Sequence, residues 1–293
     1  MKRMLGIMAL MAGIAGAAGV EGVLDKPVLA TGSGRVLLLS PQGEVVWEHK
    51  AGNIHDAWLL PNGNVLFADG NITEVTRDHR VVFEYKPEIQ KGGGAYSCQR
   101  LANGNTVVGE NASGRVVEVD PGGKVVFSFM TRYGSTDDHH HMRMVRKLAN
   151  GNYLVSHSQA NIVREYKPDG TTAWEIKAKA LAFAAVRLPN GNTLSSTLNQ
   201  VTEYDPNGKE VWEFKNTDLP GVTIRNITGI QVLPNGNLVM GCYSAYDKDG
   251  QGTGMFEVTR DKKLVWHYVS PGLRDKSMMG VHKQTGLAEP PLR

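Results

Sequence analysis

The chain has 293 residues, 41% apolar and 21% charged, an ordinary balance for a globular protein. Its length admits one large domain or two small ones. The net charge is +3, part of it in the first three residues, which excludes an electrostatic case for nucleic acid or an anionic membrane as partner.

The chain begins MKRMLGIMALMAGIAGAAGVEG. Lys2 and Arg3 form a basic head, residues 4–16 an apolar stretch, and small residues follow. This is the pattern of a secretory signal over residues 1–22, with the cut near residues 19–22. The protein is therefore expected to be exported, periplasmic or secreted. No cysteine lies near the cut, which argues against a lipid anchor. No later segment is apolar enough for stable membrane insertion.

From residue 26 to 287 two phrases alternate. LPNGNVLFADG at 60 returns as LANGNTVVGEN at 101, LANGNYLVSHS at 148, LPNGNTLSSTL at 188 and LPNGNLVMGCY at 233. SPQGEVVWEHK at 40 returns at 76, 120, 167, 205 and 259, as in DPNGKEVWEFK. Each phrase reads as a β-hairpin. The NG pairs are expected to make two-residue turns with positive φ at both central residues. A third run, such as RVVEVD or QVTEYD, lies between the phrases. Each unit then holds four antiparallel strands, a to d, and a repeat of about 40–47 residues with four strands is the signature of a propeller blade.

The expected fold is all-β: a six-bladed β-propeller of four-stranded antiparallel blades. Six d strands stand against only five NGN hairpins, and the first unit starts at strand b (PVLATGS). Its inner strand is expected from the C-terminal MMGVHKQTG, closing the ring and covering two edges. Residues 288–293 are left as a tail. Cys98 and Cys242 fall in different repeats and are expected as two separate buried thiols.

HDAWLLPNGNVLFADG and DPNGKEVWEFK resemble the propeller repeats of the arylsulfotransferase family and of quinoprotein-like propellers, across nearly the whole chain after residue 26. The resemblance implies the propeller fold. The arylsulfotransferase family transfers sulfate through a histidine with further His and Arg around a funnel. The HD before the first NGN phrase places His55 in that role by resemblance.

The repeats also act as internal controls. Glu74, Glu118, Glu165, Glu203 and Glu257 recur in strand c, and Trp47, Trp174, Trp212 and Trp266 in strand d. Recurrence from blade to blade points to blade construction. By contrast, the bc loops and the links between blades are long and irregular, and they share one face. Loops on a rigid scaffold are where function concentrates. Six histidines map to that face: His55, His139, His140, His141, His157 and His282.

Aligning the NGN phrases places His55, Tyr96, Arg143, Phe183, Thr228 and Met279 at equivalent entrances of the inner strands. His55, His141, Arg143 and Tyr96 are the candidate catalytic residues. Histidine can act as base or nucleophile near neutral pH, and arginine pairs with carboxylate or sulfate. Asp56, His139, His140, His157, Arg225 and His282 are the candidate ligand-binding residues. No cofactor is assigned. A divalent metal held by one or two of the clustered histidines with His55, His157 or His282 is the alternative, although no fixed ligand spacing supports it. DKDGQGTGMFE resembles a calcium loop, but Glu257 falls one place early and belongs to strand c, so a glycine-rich hairpin loop is expected.

These residues support a propeller that binds a small molecule, a glycan or a protein on the irregular face. They also support an enzyme on that face, by histidine-mediated sulfuryl transfer or by eliminative or hydrolytic cleavage of an acidic saccharide. Convergence of His and Arg on one point would favour catalysis; scattered rim histidines would favour binding.

Overall fold

The structure is a computed structural model that describes residues 19–131, 138–247, 251–269, 277–285 and 292–293. It is an all-β ring of six blades, each with four antiparallel strands in the order a, b, c, d from the centre outward. Blade 2 shows the pattern: Asp56–Leu59, Val65–Ala68, Ile72–Val75 and Val81–Tyr85. The other inner strands are Ala95–Arg100, Met144–Lys147, Ala185–Arg187 and Ile227–Val232 in blades 3 to 6. The inner strand of blade 1 is Val281–Lys283, paired with Val28–Gly32, so the C-terminal strand closes the ring as expected. Blade 6 carries one strand more than the sequence suggested. Gly19–Gly22 pairs antiparallel with its outer strand Leu264–Val269. Residues 1–18 of the expected signal lie outside the described residues, as do Asp249 of the calcium-like loop and residues 288–291 of the tail.

The hairpins differ in detail from the expected two-residue turns. In the first NGN loop the Gly63 N–H donates to Leu60 O, and the Leu60 N–H donates to Asn64 O. Gly63 has φ 84°, whereas Asn62 keeps a negative φ. This is a type I turn with glycine in the left-handed bulge position. Pro61 sits where its fixed φ suits the first central residue. The extra residue was hidden because NG serves both turn types.

The recurrent residues build the seams between blades. Each strand-c glutamate faces the strand-d aromatic, as Glu74 faces Phe83 and Glu203 faces Trp212, with a register shift immediately after. The same glutamates accept from an NGN asparagine of their own blade, as Asn64 to Glu74 at 2.7 Å and Asn192 to Glu203 at 2.6 Å. They then meet a cation of the next blade: Arg100 with Glu74, Lys147 with Glu118, Arg187 with Glu165, Arg260 with Glu203, and Lys283 with Glu257. Blade 1 carries Leu38 at the glutamate position, and blade 2 carries Leu59 at the cation position. Both leucines pack in one apolar cluster. Trp47, Trp174 and Trp212 add a second staple, each donating its indole N–H to a backbone carbonyl in the next blade's cd turn. Cys98 and Cys242 are separate buried thiols.

Candidate functional site

Each inner strand begins at the irregular face. The His55, Arg143 and Phe183 N–H groups donate to strand b of their own blades, at Ala68, Ser156 and Ser196. These bonds fix the first side chain of each strand at the mouth of the central channel. His55, Arg143, Phe183, Thr228 and Met279 line one cavity there, with Asp56 and Arg293 beneath. The cavity is open to solvent on one side and narrows toward Asp56 and Arg293.

Three successive blades bring His55, Tyr96, His139 and Arg143 together. The His55 and Tyr96 rings lie 3.8 Å apart, centroid to centroid. Tyr96 Oη is 2.7 Å from His139 Nδ1 and 3.2 Å from the Gly92 carbonyl oxygen. The Arg143 guanidinium lies between two aromatic rings, 5.0 Å from Tyr96 and 5.6 Å from Phe183. Tyr96 is buried, His55 and Arg143 are half-buried, and His139 is exposed. Burial, with the nearby Arg143 and His139, holds His55 well below the usual imidazole range. His55 is thus neutral at neutral pH. His140 packs edge-on against His139, 4.6 Å away.

Asp56 forms the floor. Its carboxylate accepts from Arg146 at 2.8 Å, from Arg293 at 3.2 Å and from the Cys98 N–H at 3.2 Å. Arg146 and Arg293 both lie over the Trp58 ring, at 5.0 and 4.3 Å. Burial pushes the Arg293 guanidinium down to about 10, the Arg146 charge adding to the shift and Asp56 opposing it. Sequence reasoning missed both arginines. Arg146 stands at the inner-strand position occupied by Gln99, Gln231 and His282, so carrying the repeat comparison further along strand a would have singled it out. Arg293 lies in the tail, outside the repeat, and gave no signal.

The other candidates fall elsewhere. His157 is fully buried. Its Nε2 is 2.8 Å from Tyr166 Oη and its Nδ1 is 3.1 Å from the His141 carbonyl oxygen. His141 Nε2 is 3.3 Å from Thr131 Oγ1. Burial pushes His157 down to about 3. This second cluster joins the strand of Tyr153–His157 to the segment entering blade 4. His282 Nδ1 accepts the Leu59 N–H at 2.9 Å. Gln99 Oε1 accepts the Lys147 N–H and Gln231 Oε1 the Lys283 N–H in the same way. His282 therefore does in blade 1 what glutamine does in blades 3 and 6, and burial keeps it neutral. Arg225 is exposed on the link into blade 6 and does not line the cavity.

Among the described residues no group of three or more His, Cys, Asp or Glu side chains could hold a metal ion. Among the same residues no helix is long and apolar enough to cross a membrane. In the calcium-like segment Asp247 accepts the Gln251 N–H at 2.9 Å, and Tyr246 bridges Gly252, closing a hairpin loop.

No family model matches the sequence, and no curated protein is found similar to it. Solved structures do share its fold. A protein of unknown function from Bacteroides caccae superposes with a TM-score of 0.78 at 22% identity, covering 88% of this chain and 98% of that one. A catalytically inactive virginiamycin B lyase from Staphylococcus aureus, with quinupristin, gives 0.59 at 12% identity, covering 88% and 90%. The WD40 β-propeller domain of Doa1 gives 0.59 at 14% identity, covering 89% and 83%. At these identities the likeness carries the fold alone, and the fold of this chain is a six-bladed β-propeller.

Proposed function

We propose that the channel mouth binds an anionic small molecule or glycan end, held by Arg143 and flanked by the His55 and Phe183 rings. The observation that carries this is the convergence of His55, Tyr96, His139 and Arg143 from three blades on one mouth. An arginine stacked between aromatic rings is the side chain best suited to planar oxyanions such as carboxylate or sulfate. The basic, apolar and small residues of the N-terminal segment support export, so the ligand is one met outside the cytoplasm.

The contact between Tyr96 and His139 supports a second reading, eliminative cleavage. His139 is an exposed acid or base oriented by a buried phenol, the pairing expected of an acid–base site. With a carboxylate on Arg143, neutral His139 would take the proton from the adjacent carbon. The C–O bond one carbon further would break, leaving a C=C bond, and the departing oxygen would take a proton from water. Arg143 would stabilise the negative charge that develops on the carboxylate. That a virginiamycin B lyase shares the fold supports a propeller as scaffold for such a step. The arylsulfotransferase resemblance adds sulfuryl transfer at His55 as a further chemistry to test.

The test is calorimetric titration of the native protein and Arg143→Gln with acidic oligosaccharides, aryl carboxylates and aryl sulfates. Turnover is followed by ultraviolet absorbance for new C=C bonds and by phenol release for sulfate transfer. Saturable binding lost in Arg143→Gln supports the anion site, and absorbance that rises with the bound class supports elimination. Equal binding by both proteins, or binding of neutral glycans alone, overturns the anion reading.

A further inference from the structure

The seam between blades 1 and 2 is the one at which leucines replace the glutamate–cation pair, and two histidines meet across its outer edge. His49 lies on the outer strand Val45–Lys50 of blade 1, and His79 in the cd turn of blade 2. Their Nδ1 atoms are 3.2 Å apart. The rings are near parallel at 20° and both stack beside Trp47, at 6.1 and 5.5 Å. His79 holds φ 68° at a turn position where Gly43, Gly123, Gly170 and Gly208 serve the other blades. A left-handed backbone costs a side-chain-bearing residue roughly 1 kcal/mol or more, and glycine would serve the turn without it. Blade 6 accepts Lys262 at this position with φ 62°, so the turn tolerates a side chain but does not ask for histidine.

From this geometry we infer that His49 and His79 form a two-histidine site for a borderline transition metal ion such as Zn²⁺ or Ni²⁺. Two imidazole nitrogens on one tetrahedral zinc ion, each at about 2.0–2.1 Å, stand about 3.3 Å apart. The observed separation therefore already matches a shared ion. The two nitrogens now face each other at hydrogen-bonding distance, and a shared ion requires both rings to turn so that their lone pairs meet at one point. Any proton shared between them moves to Nε2 of its own ring through water, so none is lost overall. Two ligands leave the remaining positions to water, which makes a site of moderate affinity. His79 is exposed and His49 half-buried, so solvent reaches both. Trp47 stacks against both rings. A bound ion would tie blade 1 to blade 2 at the seam that lacks the ionic tie found at the others.

The experiment is titration of zinc chloride, and separately nickel chloride, into the native protein, His49→Gln and His79→Asn. Isothermal calorimetry and thermal unfolding are read together, with magnesium chloride as control. Asparagine tolerates the left-handed backbone, so His79→Asn keeps the turn. Expected for the native protein is one equivalent of zinc and a melting rise of roughly 2–4 °C. Each variant should melt within about a degree of the native protein without metal, bind zinc roughly tenfold or more weakly, and lose the rise. His139→Ala, altered at the channel mouth, should keep it. Equal zinc binding in native and both variants, or no zinc-dependent shift in the native protein, overturns the inference.

Discussion

Lys283 Nζ lies 2.6 Å from Glu257 Oε2, across the seam where the C-terminal strand enters blade 1. Both residues are buried, and Glu257 also accepts from the Trp266 indole and the Asn237 amide. Removing one partner leaves a buried charge with fewer partners, which costs about 3–5 kcal/mol. We expect Lys283→Met to lower the melting temperature by roughly 2–4 °C for each of those kcal/mol. Glu257→Gln in the Lys283→Met background should recover part of the loss. Differential scanning calorimetry checks both, and an unchanged melting temperature in Lys283→Met would show that the pair does not hold the ring.

Leu38 occupies the glutamate place of the other blades, and Leu59 the inner-strand place of Arg100, Lys147, Arg187 and Lys283. Leu38→Glu should then cost about 3 kcal/mol, as an unpaired carboxylate in an apolar cluster. Adding Leu59→Arg should restore at least half of it by rebuilding the pair of the neighbouring seams. Urea unfolding of the single and double variants measures the coupling. Strict additivity of the two changes would sink the equivalence.

His55, His157 and His282 are all held below the ordinary imidazole value, chiefly by burial. The unfolded chain therefore takes up protons before the folded one does. The stability of the neutral state is fully present above about pH 6.5 and falls as the pH drops toward the folded values, which for His157 is about 3. Each such histidine contributes a slope of about 1.4 kcal/mol per pH unit in that window. Between pH 6.5 and 4.5, above the ordinary carboxylate values, urea midpoints should fall steeply. His157→Gln should flatten the slope by about one proton, and an unaltered slope would mean that His157 is not buried neutral.

At the channel mouth Tyr96 and Arg143 should separate. Arg143→Gln should weaken an anionic ligand roughly 10–100-fold by losing charge-assisted hydrogen bonds, and Arg143→Lys should recover only part. Tyr96→Phe keeps the ring beneath His55 but loses the hydroxyl that orients His139. Binding should change by less than about threefold, while any turnover falls by roughly tenfold or more with a shifted acid limb in its pH profile. Equal losses of binding and turnover would make Tyr96 a packing residue.

Much of this fold was legible because it repeats. The NGN phrase, the strand-c glutamates and the missing first inner strand carry blade number and closure in the residues alone. What escaped were features that do not repeat: the added strand Gly19–Gly22, Arg293, and the left-handed His79. The site was legible where it depended on register, because His55, Tyr96 and Arg143 follow from aligning one turn. It was not legible where a lone histidine had taken over a structural duty. His282 carries the acceptor role of Gln99 and Gln231, and His157 is spent on Tyr166 and the His141 carbonyl. Only the hydrogen-bond partners separate these from the exposed His139.

The strand Gly19–Gly22 and the strand Val281–Lys283 cross the same junction in opposite senses. One reaches from the start of the described chain onto the rim of blade 6, and the other returns from blade 6 into the hub of blade 1. The two strands are spliced past each other, like the overlapped strands of a rope grommet. A pull applied between Gly19 and Lys283 would load both overlaps lengthwise, so their ladders of hydrogen bonds would have to slide together before either blade could peel away. A new pair of ends cut at the Gly70–Asn71 turn of blade 2 would lack that splice. Such a ring should open at lower force while keeping its channel mouth.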